Sequence, residues 1–547
     1  METRSFRVKT TATLMAMLFL ASIVVITIPV KAQPTEVWVD DDYTMATPGW
    51  GVDHFATIQE GVDAVADGGI VHVAEGTYNE QVVIGKSLTL QGEGDTTIIQ
   101  PSAPNKLTKI KSTPWFGGTK DQVSILWAHA PGGSVTVKDL KVDGQYITSA
   151  PSGSIGRIAG ISYIETSGLV DSVTVVDMDT TGYTPRSVGI WASAVTYTSS
   201  VEVTDCTVDD YNRGGIYPYG DDLTMDLNHN TIIGPGTLSA QVPNGILFLD
   251  GSTGSATFNN VYNLYYGVGT TYRSTGIGTY LAGTGVIFAF NNVHHVQNAF
   301  ALSVDTSGAT VEYNTVYDSH TGVRIESGAA DNVIRYNDIR DNTYAIRCGD
   351  DMGTGNEAHY NNFVGNIGFD SGFPAYVGAV SNIHTTYTLD AEYNWWGDAS
   401  GPSGVGPGTG DSVSDKVDFD PWVGLTWVDY EWTYDEDIDG LTTLDFTSSF
   451  TTAVSPEYIA IQIHNDGPAD ITLTNIVVNK VTPPGKGIVG ACVVLTPLYT
   501  IPDGGDGTFL VDVSASNLFK DKANLHLWVY FTINDDEYHI GVNVHIR

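Results

Sequence analysis

The chain has 547 residues, 42% apolar and 10% aromatic, which is enough for extensive packed cores and excludes a disordered polypeptide. Only 16% of residues are charged while Gly occurs 60 times, a mix that favours strands and turns over helices. With 63 acidic against 25 basic residues the formal charge is −38, which argues against nucleic acid and anionic lipid as partners and leaves cations, neutral glycans or a local exception to the field.

At the start, Arg4, Arg7 and Lys9 precede an uncharged apolar stretch from Thr10 to Val30, followed by Val30-Lys31-Ala32. This pattern predicts a signal peptide over residues 1–32, and an uncleaved anchor is the alternative because the stretch is long enough to span a bilayer. Cleavage removes four basic residues and Glu2, moving the formal charge from −38 to −41. The chain is thus expected to be secreted or held at the cell surface, with the periplasm as a further possibility, and with no membrane contact beyond export.

Next, Phe55-Ala56-Thr57-Ile58-Gln59-Glu60-Gly61-Val62-Asp63-Ala64-Val65 predicts a helix with Phe55, Ile58, Val62 and Val65 on one face, suited to close the end of a solenoid. The solenoid is read from a repeated aromatic-Asn pair. His229-Asn230, Phe258-Asn259, Phe290-Asn291, Tyr313-Asn314, Tyr336-Asn337, Tyr360-Asn361 and Tyr393-Asn394 recur at spacings of 29, 32, 23, 23, 24 and 33 residues. Apolar residues two places after each Asn, and Val311 and Ile334 two places before their aromatic partners, give the alternation of strands that line a core. Stacked coils would place the Asn residues in a column of bonded amides, with the aromatics, His229 among them, as an inward-facing stack. Leu140, Met178 and Cys206 continue the Asn register upstream, making about a dozen coils. Cys206 and Cys348 then lie several coils apart, too far for a disulfide.

These features resemble right-handed parallel β-helix proteins of the pectin-lyase-like superfamily, including the parallel β-helix repeat proteins related to NosD. Val37-Trp38-Val39-Asp40-Asp41-Asp42-Tyr43, the Phe55-Ala56-Thr57-Ile58-Gln59 segment and Ala74-Glu75-Gly76-Thr77-Tyr78-Asn79-Glu80 are similar to the capping coils of that class, and Asn394-Trp395-Trp396-Gly397-Asp398 to its closing turn. The fold class is therefore all-β, a right-handed parallel β-helix over 33–422 followed by a β-sandwich, immunoglobulin-like, over 423–547. The latter rests on short alternating strands such as Tyr458-Ile459-Ala460-Ile461-Gln462-Ile463, separated by turns such as Asn465-Asp466-Gly467.

The resemblance implies particular residues if the chain is an enzyme. The Gln-Asp-Thr segment of pectinesterases is absent. Asp209-Asp210, Asp221-Asp222 and Asp350-Asp351 lack the companion motifs of polygalacturonases and read as solvated turns. Pectate lyases bind their substrate in a groove of positive residues, and 25 basic residues are too few to lead us to expect a long one.

A local cluster is the surviving candidate. Arg324 and Arg347 each lie ten residues after a column Asn and should point outward from adjacent coils, with Tyr317, His320, Arg335 and Arg340 in the same pair of coils. A uronate carboxylate or a sulfate could bind there, with Arg324, Arg347 or His320 as catalytic base if chemistry follows. Trp395 is a further candidate for sugar stacking, against a role closing the core.

For metals, Asp435, Asp437 and Asp439 with Gly440 have the spacing of a Ca²⁺ loop, although Phe446 stands where a closing Glu would be. The scattered histidines His229, His294, His295, His320 and His359 form no transition-metal pattern. The leading expectation is a non-enzymatic secreted or surface β-helix protein that binds a polysaccharide or another surface component. A polysaccharide lyase or hydrolase acting on acidic glycans is the first alternative, and a periplasmic metal-handling protein like NosD the second.

Overall fold

The computed structural model describes residues 32–102, 107, 111–115, 118–145, 155–178, 186–267, 273–398 and 400–422, and beyond these the backbones of strands between 425 and 544. The apolar N-terminal stretch and the acidic trio Asp435, Asp437 and Asp439 lie outside the described residues. No helix among the described residues is long and apolar enough to cross a membrane.

From Glu36 onward the chain winds in coils of three short strands. One coil consists of Thr310–Glu312, Thr315–Tyr317 and Thr321–Ile325, and the next of Val333–Arg335, Asp338–Arg340 and Tyr344–Cys348. Each strand pairs in parallel with its equivalent one coil on, so Val311 faces Ile334, Val316 faces Ile339 and Val323 faces Ile346. Three stacked sheets result, and their inward apolar residues fill one continuous bore. The first two sheets join because Ser134–Asp143 and Ser167–Val176 run unbroken around the bend between them.

That bend explains the aromatic-Asn repeat. Phe258, Phe290, Tyr313, Tyr336, Tyr360 and Tyr393 all adopt left-handed backbone, φ +55° to +60°, as do His229 and, upstream, Asp139, Asp177 and Asp205. A single left-handed residue turns the chain sharply and throws its own side chain outward while the next one points in. The aromatics therefore stack on the outer ridge, a correction to the inward position expected for them. Their centroids are 4.9–5.6 Å apart and their planes within 23° of parallel, with Phe258 51% and Phe290 40% exposed.

Inside the bend the Asn column forms as expected. Asn314 Nδ2 donates to Asn337 Oδ1 at 2.9 Å and to the Phe288 carbonyl at 2.9 Å, and its backbone N–H donates to the same Asn337 Oδ1 at 3.0 Å. Asn230, Asn259, Asn291, Asn337 and Asn361 repeat this pattern, and Asn394 ends it by donating to backbone carbonyls. Cys206 joins the column through its backbone N–H, bonded to Asn230 Oδ1 at 3.0 Å. A shorter column, Asn342, Asn366 and Asp411, forms at the next bend, and a third pair, Asn332 and Asn356, at the bend before the first sheet.

Cys206 and Cys348 are buried free thiols, each pushed up to about 12 by burial, which leaves them inert at neutral pH. The predicted helix spans Ile58–Ala64, capped by Thr57, and buries Ile58, Gly61 and Val62 against the first coil. The Glu80 carboxylate accepts from the N–H groups of Ile58 and Gln59 at 2.8 and 2.9 Å, anchoring the helix N-terminus.

In the C-terminal part, Leu425–Val428, Leu444–Thr451, Tyr458–Asn465, Asp506–Asp512 and Val493–Val494 form one antiparallel sheet, and Trp432–Thr433, Asp536–Val544, Asn524–Ile533, Ile471–Thr482 and Thr500–Ile501 another. The packing that a sandwich requires between them depends on side chains outside the described residues.

Candidate functional site

The outer face of the third sheet holds the chemistry. Along one outward register, Trp127, Ser162, Trp191 and Tyr217 follow one another coil by coil, and Leu247, Gly278, Ala301, Arg324 and Arg347 continue the line. The aromatics at one end, Trp127, Trp191 and Tyr217, are buried in a cluster of their own, and Gly278 and Ala301 lead from Leu247 to the arginines at the other. A Cβ on Gly278 would come within 2.6 Å of the Ala301 carbonyl oxygen, so the floor there is bare backbone. From Tyr217 to Arg324 is four coil steps, about 19 Å.

Over this floor lies a cleft of about 450 Å³ into which four arginines project, Arg186, Arg213, Arg273 and Arg324, with Tyr217, Tyr280, Ser303 and Glu326 on its walls. Arg157 pairs in register with Arg186 and lies over the Trp191 ring at 3.5 Å, and Arg347 flanks Arg324 at the far end. Six of the chain's eleven arginines therefore line one sheet face. The cations are few but gathered, a local concentration that the count of basic residues alone does not reveal.

Aromatic rings and isolated carboxylates hold these arginines in place. Arg324 bonds Glu326. Arg273 lies over Phe373 at 4.1 Å and reaches Asp370 at 3.7 Å. Arg347, 3% exposed, lies 4.7 and 4.9 Å from the Phe373 and Tyr376 rings. Burial lowers Arg347 to about 10, with Arg324 adding repulsion, and burial lowers Arg157 to about 9. Both stay cationic at neutral pH.

The sequence candidates do not all converge. Arg324 and Arg347 are register partners as expected, and His320 is nearby. Tyr317 and Arg340 lie on the second sheet, where Arg340 bonds Asp338 at 3.1 Å and sits 5.4 Å from the Tyr317 ring. Arg335 is on the first sheet, bonded to Glu312 at 2.7 Å. Three strands per coil send neighbours in sequence to three different faces, so these residues form separate ion pairs and no common site. Trp395 is 5% exposed and offers no ring face to a sugar.

His320 has both ring nitrogens engaged, by Thr321 Oγ1 and Asp370 Oδ2, each at 2.9 Å. Burial, with Arg273 adding repulsion, pushes it down to about 4, so it is neutral at physiological pH and donates to Asp370. Neither nitrogen is left to act as a base.

Sequence reasoning missed Arg157, Arg186, Arg213 and Arg273. The signal was present as Arg157-Ile158-Ala159-Gly160-Ile161, Arg186-Ser187-Val188-Gly189-Ile190 and Arg273-Ser274-Thr275-Gly276-Ile277, with Arg213-Gly214-Gly215-Ile216 one residue shorter. It recurs at the start of third-sheet strands, at offsets from the column Asn that vary with the insertions in each coil.

Residues 195–385 match the family model for a right handed beta helix region. The fold is a right-handed parallel β-helix. No curated protein matches the chain. Among solved structures, the β-helix is similar to XylC in complex with xylose (11% identity, TM-score 0.39, covering 87% of this chain and 100% of that one). It is also similar to a rhamnogalacturonan lyase (11%, 0.35, 71% and 87%) and to the enzymatically active domain of bacteriophage CBA120 tailspike protein 2 (14%, 0.30, 89% and 73%). At these scores nothing about activity follows.

Proposed function

We propose that this β-helix is a secreted or surface-displayed protein that binds an acidic polysaccharide along its third sheet. One observation carries the reading: a chain of formal charge −38 gathers four arginines into a single cleft, long enough for several sugar units and walled by aromatic and hydroxyl side chains. Arginine suits carboxylate and sulfate groups, and the acidic exterior repels polyanions that lack this fit. Because both nitrogens of His320 are engaged, we favour binding over turnover.

Calorimetric titration of the mature protein with an oligogalacturonate and with its methyl-esterified counterpart tests this. The acid form should bind at least tenfold more tightly, and Arg324→Ala should remove most of that preference. Equal affinity for both forms, with no binding of a dextran sulfate oligosaccharide, would overturn the reading. If the same incubations yield new reducing ends or unsaturated products, lost in Arg347→Ala, the protein is instead a lyase or hydrolase.

A further inference from the structure

Arg347 carries a buried charge that its surroundings do not satisfy. Its Nε and Nη1 are buried and meet no acceptor, and among the described residues no carboxylate lies within ion-pair distance of it. Its register neighbour Arg324 is also cationic and has already taken Glu326. Desolvating a guanidinium without an anion is costly, and the Phe373 and Tyr376 faces recover only part of that cost.

Both rings belong to a segment, residues 368–378, that closes over the arginines. Its ends are pinned together by the Gly378 N–H donating to the Gly368 carbonyl at 2.8 Å, and both glycines have left-handed backbone, φ +113° and +76°. Within it, Asp370 binds His320 at 2.9 Å and lies 3.7 Å from Arg273. This internal carboxylate already occupies the cation cluster as an acid group would.

We propose that Arg347, with Arg324 and Arg273 beside it, is a covered subsite for one acid group of the glycan, a carboxylate or a sulfate, entered when the 368–378 segment lifts. The incoming group supplies the acceptor that Arg347 lacks and takes the place of Asp370 on Arg273. This rests on the reading of the open cleft as a glycan site.

The test compares wild type, Arg347→Gln and Phe373→Ala by calorimetry, using an oligogalacturonate as the carboxylate probe and a dextran sulfate oligosaccharide as the sulfate probe. Hydrogen exchange over 368–378 is followed with and without each probe. Arg347→Gln should weaken the recognised probe at least tenfold, Phe373→Ala should tighten it several-fold by removing part of the cover, and exchange in the segment should rise on binding. The probe affected identifies the acid group. If wild type binds a probe through Arg324 while both variants match it and the segment's exchange is unchanged, the covered subsite is refuted and the open cleft stands. If wild type binds neither probe, the glycan reading itself falls.

Discussion

At the residue scale, one buried amide per coil closes the hydrogen-bond accounts of the first bend: Asn337 Oδ1, for example, accepts two donors from Asn314 in the coil before, and Asn314 Nδ2 donates both to it and to the Phe288 carbonyl. The second column ends differently, on a carboxyl. Asp411 Oδ2 accepts from Asn366 Nδ2 at 2.6 Å and from its N–H at 3.1 Å, yet burial outweighs these bonds and lifts Asp411 from 3.8 to about 6. The folded chain then holds this proton to a higher pH than the unfolded chain does. Stability contributed by this group is present below about pH 4 and is lost as pH rises through about 6. Asp411→Asn keeps an acceptor for Asn366 and removes the titration. It should be more stable than wild type by about 3 kcal/mol near neutral pH, with the gain shrinking towards pH 4, as thermal unfolding at the two pH values will record.

At the scale of elements, the capping helix illustrates what a sequence pattern can specify. The apolar face of Phe55, Ile58, Val62 and Val65 was legible, and all four are buried. The role of Gly61 was not, because it depends on how close the helix comes: a Cβ there would lie 2.7 Å from Val39 and 3.2 Å from Val71. Gly61→Leu should lift the helix from the first coil and expose the bore. Light scattering should then detect concentration-dependent association beyond that of the parent, along with a lowered unfolding midpoint. The same limit explains the misplaced aromatics. Alternation marked Val311 and Ile334 as inward, but the left-handed turn at Tyr313 and Tyr336 reverses the alternation at the bend, and nothing in a two-residue period encodes that. The arginine cleft was half legible. Arg324 and Arg347 were found from their offset to Asn, whereas Arg186, Arg213 and Arg273 belong to coils with insertions, where that offset drifts.

At the scale of the whole molecule, charge acts at two ranges. The formal −38 repels a polyanion at long distance, whereas the arginines gathered on the third sheet act at short range. Salt therefore affects approach and retention in opposite ways. Between about 10 and 150 mM salt the screening length falls from ~30 to ~8 Å, which removes the repulsion first. Stopped-flow mixing should show the association rate for an acidic oligosaccharide rising with salt over this range while dissociation also quickens. A rate that falls from the outset would mean that steering by the cleft dominates the whole surface.

The regular pairing of coils has a further consequence for inheritance. Asn291 bonds Asn314 with the same atoms that Asn314 uses for Asn337, and Thr310–Glu312 sits on its lower and upper neighbours in one register. Excising one uninserted unit, residues 314–336, would leave Asn291 facing Asn337 with every ladder intact. It would also move Arg324 out and bring Arg347 next to Ala301. The length of the arginine cleft and the number of cations in it can thus change by whole units through deletion or duplication in the gene, without any new fold having to be found.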